Sequence, residues 1–544
     1  MSLSAPEAAT PSPGRARWRA GEWAALAAAA LFAFSLAFFR DADLDWHWYV
    51  GTGRWIVEHH AVPHTEPFSF TAAGTPYRAE HWLGEVLFYL IHSVGGVQAL
   101  VTLKALLFAA MAAVLVAVGR GMISAGPAAL IAALVAAASA PDQMALRLHV
   151  LTPAFALAEL LLLERWRRTG RGLWLVVPLA LLWINLHGSG PLAVAILGVY
   201  LVGEVLLSHR RERAKLLLLA LLGAALATLI TPYGWGLWLE LLHQPLVREQ
   251  HAVVREFLPL TRLPAWQWSL VGPVLLLVVA GLARSRSRGV SPGLALCVLG
   301  FFLMAFRAQR HLGLFLWPAA LLIFQSLSSP PTEGKESRGL RGAWAVTVLL
   351  TVLSLLVLTD RPYLLFNSAR RSGWTMVAGA LPEEALDAMR ALAPPGNLFN
   401  TYENGGLVIE RAPEFKVFID NRYRPYGDLL RDYGTVAQAA PGWQQVLDRW
   451  QINTCLVDPG RLDLIAALHA SPLWSLAVLT GDGAVFVRRP TAIPEVDVAS
   501  AIGDWRARHP PPRARWPWQA DPWPRERVQL AAMASALGVV DRER

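Results

Sequence analysis

Residues 23–48 read WAALAAAALFAFSLAFFRDADLDWHW. Seventeen apolar or small residues end abruptly at Arg40, and three carboxylates follow at every second position: Asp41, Asp43 and Asp45. The apolar half is long enough to enter a bilayer, whose hydrocarbon core takes roughly 17–25 residues of helix. The acidic half cannot follow it there, because ionised groups at membrane depth are costly. The stretch therefore reads as a membrane span that delivers a carboxylate cluster to one surface.

Working outward, the same apolar pattern recurs. Candidate spans are 23–39, 97–119, 121–140, 148–163, 172–186, 189–207, 216–231, 267–283, 289–306, 312–328 and 342–359. The composition agrees: 54% of the 544 residues are hydrophobic and 16% are charged, well below the roughly 25% charge of soluble domains. The fold class expected is a polytopic α-helical membrane protein of about eleven spans. Two cysteines, Cys297 and Cys455, exclude a disulfide scaffold and a thiolate metal cluster.

The net charge of +9 does not indicate nucleic acid once its placement is considered. Arg15, Arg17 and Arg19 precede the first span, and Arg165–Arg171, Arg210–Lys215, Arg284–Arg288 and Lys335–Arg341 hold four further basic clusters. Counting spans from a cytoplasmic N-terminus places all of them inside, as positive charge prefers. That count requires 82–94, only 13 residues, to lie on the outer surface as a juxtamembrane helix. The resulting domains are a cytoplasmic N-terminus (1–22), a transmembrane domain (23–360), an extracytoplasmic α/β domain (361–490) and a Pro-, Arg- and Trp-rich tail (491–544), loosely ordered to 525 with a final helix over 528–537. Within the α/β domain, 383–392, 444–450 and 462–470 read as helices. Strands are expected over 397–411, 415–420, 452–458, 476–480 and 484–488, with Asn404, Asp420, Arg422 and Tyr423 at strand ends.

The outer loops differ from the inner ones. From Arg40 to Glu85 there are seven acidic residues and three basic ones, in a loop (40–81) long enough to suggest function rather than mere connection. Shorter outer segments carry Asp142, Arg147 and His149; Asn185 and His187; Tyr233; Glu256; and Arg307, Arg310 and His311. Each group has a plainer reading: loop solvation for Asp43 and Asp45, snorkelling for Lys104, Arg307 and Arg310, and mutual pairing for Asn185 and His187. Their common side points to one polar site lined by helix ends.

Several strings carry a family resemblance: Asp43-Leu44-Asp45 followed by Gly53-Arg54-Trp55-Ile56, Glu66-Pro67-Phe68-Ser69, His81-Trp82-Leu83, Arg147-Leu148-His149, Trp183-Ile184-Asn185-Leu186-His187-Gly188, Pro232-Tyr233-Gly234 and Arg310-His311. With the acidic motif after the first span, the long first loop and the C-terminal external domain, the chain resembles the GT-C superfamily of integral-membrane glycosyltransferases. The resemblance is to a bacterial branch related to the protein mannosyltransferase and aminoarabinose transferase type. It covers roughly residues 20–490. Relatives often read two adjacent Trp and then His after the acidic pair, where this chain has Trp46-His47-Trp48-Tyr49, and Asn-Pro-Tyr-Gly where it has Thr231-Pro232-Tyr233-Gly234.

The resemblance implies transfer of a sugar from a polyprenyl-phosphate donor to a glycan, lipid or protein acceptor outside the bacterial inner membrane. Asp43 and Asp45 become the catalytic carboxylates, as general base or as ligands of a divalent cation such as Mg or Mn. Glu80, His81, Arg147, His149, Asn185, His187, Tyr233, Glu256, Arg307, Arg310 and His311 become substrate-binding candidates. A flippase for a lipid-linked sugar and a non-catalytic membrane scaffold remain alternatives at this stage.

Overall fold

The alanines that make the first helix apolar also make it thin. In the computed structural model α1 spans Ala20–Ala37, and Ala25, Ala28, Ala29, Ala33 and Ala37 are buried at helical spacing. Small side chains let neighbouring helices approach closely. Its N-terminus is closed by Glu22, whose carboxylate accepts from the Arg19 N–H at 2.9 Å and pairs with Arg120 at 3.0 Å. The structure describes residues 17–140, 142–208, 211–243, 255–284, 289–328, 336–365, 370–422, 426–510 and 525–539. Arg15, Arg210, Arg286, Arg288, Lys335 and Tyr423 lie outside the described residues, as does the side chain of Asp142.

Each apolar segment forms a helix. After α2 (Asp45–His59) come α3 (Trp82–Ile123), α4 (Ala125–Ser139), α5 (Leu151–Thr169), α6 (Val176–Leu186), α7 (Pro191–Val202), α8 (Arg211–Ala227), α9 (Trp235–His243), α10 (Ala265–Ala283), α11 (Pro292–Arg307), α12 (Leu312–Leu327), α13 (Glu336–Leu358) and the short α14 (Arg361–Leu365). Among the described residues, five helical segments are long and apolar enough to cross a membrane: 20–37, 82–123, 265–283, 309–327 and 341–358. Leu226, Ile230, Leu276, Val279 and Val348 each stay more than 60% exposed, a surface that is costly in water and inexpensive against lipid. Inside the bundle, Glu204 is paired with Arg167 at 3.4 Å, and Glu164 accepts from Tyr200 and Gln325, each at 2.8 Å.

Two features of the first loop differ from the sequence reading. Residues 45–59, expected as loop, are the helix α2. The Asp43 carboxylate accepts from the N–H of Asp45, the first residue of that helix, at 3.0 Å; the N-cap position itself is Leu44. Trp46, Tyr49, Val50, Gly53 and Ile56 then form its buried face. The segment 82–94 is the first part of α3, separated from the remainder by non-helical backbone at Gly95 and Gly96, where Gly96 has φ +61°. Helices α2 and α3 touch at Gly53, where an added Cβ would sit 2.0 Å from the Glu85 carbonyl oxygen. Gly53→Ala is expected to cost about 1–3 kcal/mol, read as a lowered thermal midpoint in detergent; an unchanged midpoint would show that this contact yields freely.

The C-terminal part holds α15 (Glu383–Leu392), β1 (Asn397–Asn400), α16 (Gly405–Arg411), α17 (Leu429–Ala437), α18 (Trp443–Arg449), β2 (Ile452–Val457), α19 (Leu462–Ala470), β3 (Trp474–Leu479), β4 (Ala484–Arg488), α20 (Val498–Arg508) and α21 (Arg525–Ala536). Its sheet runs β1-β2-β4-β3, with β1 parallel to β2 and the remaining pairs antiparallel. Three expectations change here. The strand expected over 397–411 stops at Asn400, and Gly405-Gly406 opens a helix instead. A Cβ on Gly405 would meet the Ile419 carbonyl at 2.3 Å, so the glycine permits a backbone crossing. The segment 415–420 joins no sheet, because its partners come from the first loop: Val417 donates to Phe68 at 3.1 Å and accepts from Phe70 at 3.3 Å. Within the tail, 498–508 is helical, capped by Asp497 accepting from the Ser500 N–H at 2.8 Å, and Trp505 bonds Glu384 at 2.7 Å.

Helix α2 is where the two parts meet. It packs against α16, with Gly51 facing Ile409. Arg54 donates to the carbonyls of Glu410 (2.8 Å) and Ile409 (2.7 Å) at the C-terminal end of α16, where a cation is favoured. Burial works to raise the Glu410 carboxyl, but its bond to His47 at 3.1 Å, with His92 and Arg411 nearby, holds it below its usual range.

Candidate active site

The three aspartates that follow α1 are linked by their own backbone. Asp41 accepts from the Asp43 N–H at 3.0 Å, and Asp43 accepts from the Asp45 N–H at 3.0 Å. They separate by function from there. The Asp41 carboxylate turns inward to Lys104 of α3 at 2.8 Å and to the Leu146 N–H at 2.7 Å. Lys104, which sequence alone leaves as a snorkelling candidate, is buried over the Phe39 ring, 3.9 Å from its centroid. This ion pair fixes the end of α1 to α3 and to the loop that bears Arg147.

Asp43 and Asp45 face the other way, around Arg147. The Arg147 Nε lies 2.5 Å from Asp43 Oδ2 and 3.0 Å from Asp45 Oδ2, and its Nη1 lies 3.0 Å from Glu256 Oε2. Arg310 Nη1 stands 3.8 Å from the other Glu256 oxygen, over the Phe257 ring. Asn421, from the C-terminal domain, donates to Asp45 Oδ1 at 2.6 Å. Burial pushes the Asp43 carboxyl up to about 7, Arg147 pulls against it, and Asp45 and Asp41 add to the rise. The Asp45 carboxyl is raised for the same leading reason.

A histidine group adjoins this charge cluster. His81 and His187 stack with ring centroids 4.4 Å apart and planes 5° from parallel. The Gly188 N–H donates to His81 Nδ1 at 3.0 Å, so neutral His81 carries its proton on Nε2. His187 Nδ1 lies 2.8 Å from Ser189 Oγ. His149 is within electrostatic range of Arg147, Arg310 and His81. Glu80 lies beside Gly188, where a Cβ would approach its Oε2 to 2.9 Å.

Other expected residues have their polar atoms turned inward. The Asn185 amide accepts from Trp82 at 2.8 Å and donates to the carbonyls of Leu181 and Ile230 at 2.8 and 2.9 Å. The Tyr233 hydroxyl donates to the Pro63 carbonyl at 3.0 Å and accepts from the Ala79 N–H at 2.9 Å. Both brace the loop that carries Glu80 and His81. Arg307 ends α11 in an exposed position, and His311 caps α12 next to Arg310. Among the described residues, no ion pair joins Arg307 to the Arg147 cluster. Sequence reasoning missed Asn421 and Glu410. Neither carries a local signal, since each acts across more than 360 positions of chain.

The donor set can be tested against the divalent cation expected at Asp43 and Asp45. Four of the six oxygens of Asp43, Asp45 and Glu256 already accept an N–H within 3.0 Å, Asp45 Oδ2 is in ion-pair contact with Arg147 Nε at 3.0 Å, and the sixth faces Arg310. Among the described residues, no group of three or more His, Cys, Asp and Glu is arranged to hold a metal. The guanidinium occupies the place where a cation would sit, so the arrangement does not fit a metal without Arg147 leaving.

This fold is similar to that of solved oligosaccharyltransferases. The enzyme from Archaeoglobus fulgidus, tethered to an acceptor peptide containing the NVT sequon, aligns with TM-score 0.56 over 81% of this chain and 69% of that one, at 12% identity. The Archaeoglobus fulgidus oligosaccharyltransferase AglB in complex with an inhibitory peptide and a dolichol-phosphate aligns with TM-score 0.55 over 87% and 75%, at 13% identity. Its complex with Zn and sulfate aligns with TM-score 0.53 over 85% and 73%, at 12% identity. These neighbours are members of the GT-C superfamily, and at such identity the likeness is one of fold. No family model and no curated protein sequence matches the chain.

Proposed function

We propose that this protein is a GT-C glycosyltransferase of the bacterial inner membrane. In this reading it moves a sugar from a polyprenyl-phosphate donor to a glycan, lipid or protein acceptor on the extracytoplasmic side. One observation carries the proposal: within an oligosaccharyltransferase-like fold, Asp43, Asp45, Arg147, Glu256 and Arg310 converge from separate segments beside His81, His149 and His187. The eleven apolar segments are the spans, the N-terminus is cytoplasmic, and the C-terminal domain lies outside, with Asn421 reaching the carboxylates.

The chemistry follows from the charge layout. As the acceptor oxygen attacks the anomeric carbon, its proton passes to the carboxylate of Asp43 or Asp45. The bond from the anomeric carbon to the phosphate oxygen breaks, and that oxygen keeps the electron pair. Arg310, 39% exposed in its side chain, presents guanidinium donors for the phosphate. The adjoining imidazoles of His81, His149 and His187 supply neutral polar groups near the developing charge. The lipid tail stays against the exposed apolar faces of the bundle. That the archaeal neighbours bind an acceptor peptide and a dolichol-phosphate supports both partner classes.

The test is sugar transfer by purified protein from a synthetic polyprenyl-phosphate sugar, followed by mass spectrometry of product and released carrier. Because burial raises Asp43 from 3.8 to about 7, its basic form grows as pH rises, and the rate is expected to climb up to about tenfold per unit below pH 7 before levelling. The folded state holds that proton more tightly than the unfolded chain. The same ionisation therefore lowers stability between about pH 4 and 7. A rate that falls across this window would overturn the base assignment, and absence of transfer from every lipid-linked donor would overturn the function.

A further inference from the structure

We infer that Arg147 is the resident cation of this site, filling the position between Asp43, Asp45 and Glu256 that a divalent ion would otherwise take. It is a positioning residue: it acts through the carboxylates it holds. The inference rests on the glycosyl-transfer reading for its purpose, whereas its test reads cation binding alone.

Stereochemistry supports the assignment. A hard divalent cation needs several carboxylate oxygens within about 2.0–2.6 Å of one point. Here the convergent oxygens are Asp43 Oδ2, Asp45 Oδ2 and Glu256 Oε2, and each is directed at one guanidinium. A planar guanidinium offers five donors in a fixed fork and stays protonated at any working pH. It can therefore hold carboxylates from two different segments in one geometry. Beside this trio, Asp41 is held by Lys104 and Asp45 Oδ1 by Asn421.

Charge supports it as well. Three carboxylates converge on one guanidinium, with Arg310 at the edge, so the cluster carries a net negative charge once all three are ionised. Removing Arg147 would leave three oxygen donors converging on an emptied, strongly negative position, which is a donor set suited to Mg or Mn. The consequence runs against ordinary expectation for a loss-of-charge variant: Arg147→Ala should gain metal affinity.

The experiment is Mn²⁺ titration of the full-length protein in detergent, followed by electron paramagnetic resonance, without donor or acceptor. Wild type is expected to show no stoichiometric site, and Arg147→Ala is expected to bind one Mn²⁺ with an affinity on the order of 10⁻⁴ M or tighter. That binding should vanish in Arg147→Ala/Asp45→Asn. A stoichiometric Mn²⁺ site in wild type that is lost on Asp43→Asn or Asp45→Asn would overturn the inference, even if Arg147→Ala fails to fold. Equal, weak binding by wild type and folded Arg147→Ala would overturn it too. Failure of sugar transfer leaves this readout intact, so the two proposals fail separately.

Discussion

Asp43→Asn and Asp45→Asn are each expected to reduce sugar transfer by about 10²–10⁴-fold, the range removed with a general base. Asparagine keeps the size of the side chain and one accepting oxygen, so the Asp45 N–H can still bond residue 43, and Asn421 can still meet an oxygen at residue 45. What is lost is the charge and the ability to take a proton. Arg147 retains two of its three carboxylates in either variant, which should preserve the local geometry. The measurement is the initial rate at saturating lipid-linked donor, with the thermal midpoint and circular dichroism recorded on the same preparations. If only one variant loses transfer, that residue is the base. If both retain full activity with native-like folding, the catalytic assignment is wrong.

The helical part of this fold was legible because long apolar runs announce themselves by composition. The expected 267–283 and 312–328 return as helices Ala265–Ala283 and Leu312–Leu327, since an uninterrupted apolar run leaves the backbone no better way to satisfy itself. Helix α2 was hidden. It mixes Trp, His, Tyr, Gly and Arg, because its faces touch α3, α16 and the site rather than one apolar core. The same reason explains 405–411, whose Gly-Gly opening reads as a strand defect until the Ile419–Asp420 backbone crossing it is seen. For the site, residue type and sidedness placed Asp43, Asp45, Arg147, Glu256 and Arg310 in one group. Pairing was beyond reach. Whether Asp41 or Asp45 would take Lys104 depends on contacts more than 60 residues apart, and nothing local distinguishes the three aspartates. The sequence also suggested a cation for the paired carboxylates, and the structure places a guanidinium there.

Arg422→Met is expected to be the most destabilising single change, at about 3–5 kcal/mol, the cost of removing one partner from a buried charge group. The Arg422 side chain is 3% exposed, and those of Asp420 and Glu66 are fully buried. Its guanidinium donates to both Asp420 oxygens and, at 2.8 Å, to Glu66. It lies between the rings of Phe68 and Tyr77, 4.9 and 4.8 Å from their centroids. Methionine fills part of the volume but leaves two carboxylates facing each other without a cation: Asp420 keeps the Tyr426 hydroxyl at 2.5 Å and the backbone N–H of residue 422 at 2.9 Å, and Glu66 keeps the N–H groups of Phe68 and Ser69 at 2.8 and 3.0 Å, but none of these supplies a positive charge. Glu66 belongs to the first loop and Asp420 to the C-terminal domain, so the cluster joins the two parts beside Asn421. Transfer should therefore fall together with the thermal midpoint, because Asn421 would lose its hold on Asp45. Glu66→Gln/Asp420→Asn, combined with Arg422→Met, removes the stranded charges and should recover part of the lost stability. A midpoint for Arg422→Met equal to wild type would mean that these charges are hydrated in solution and that the junction is held by its apolar contacts alone.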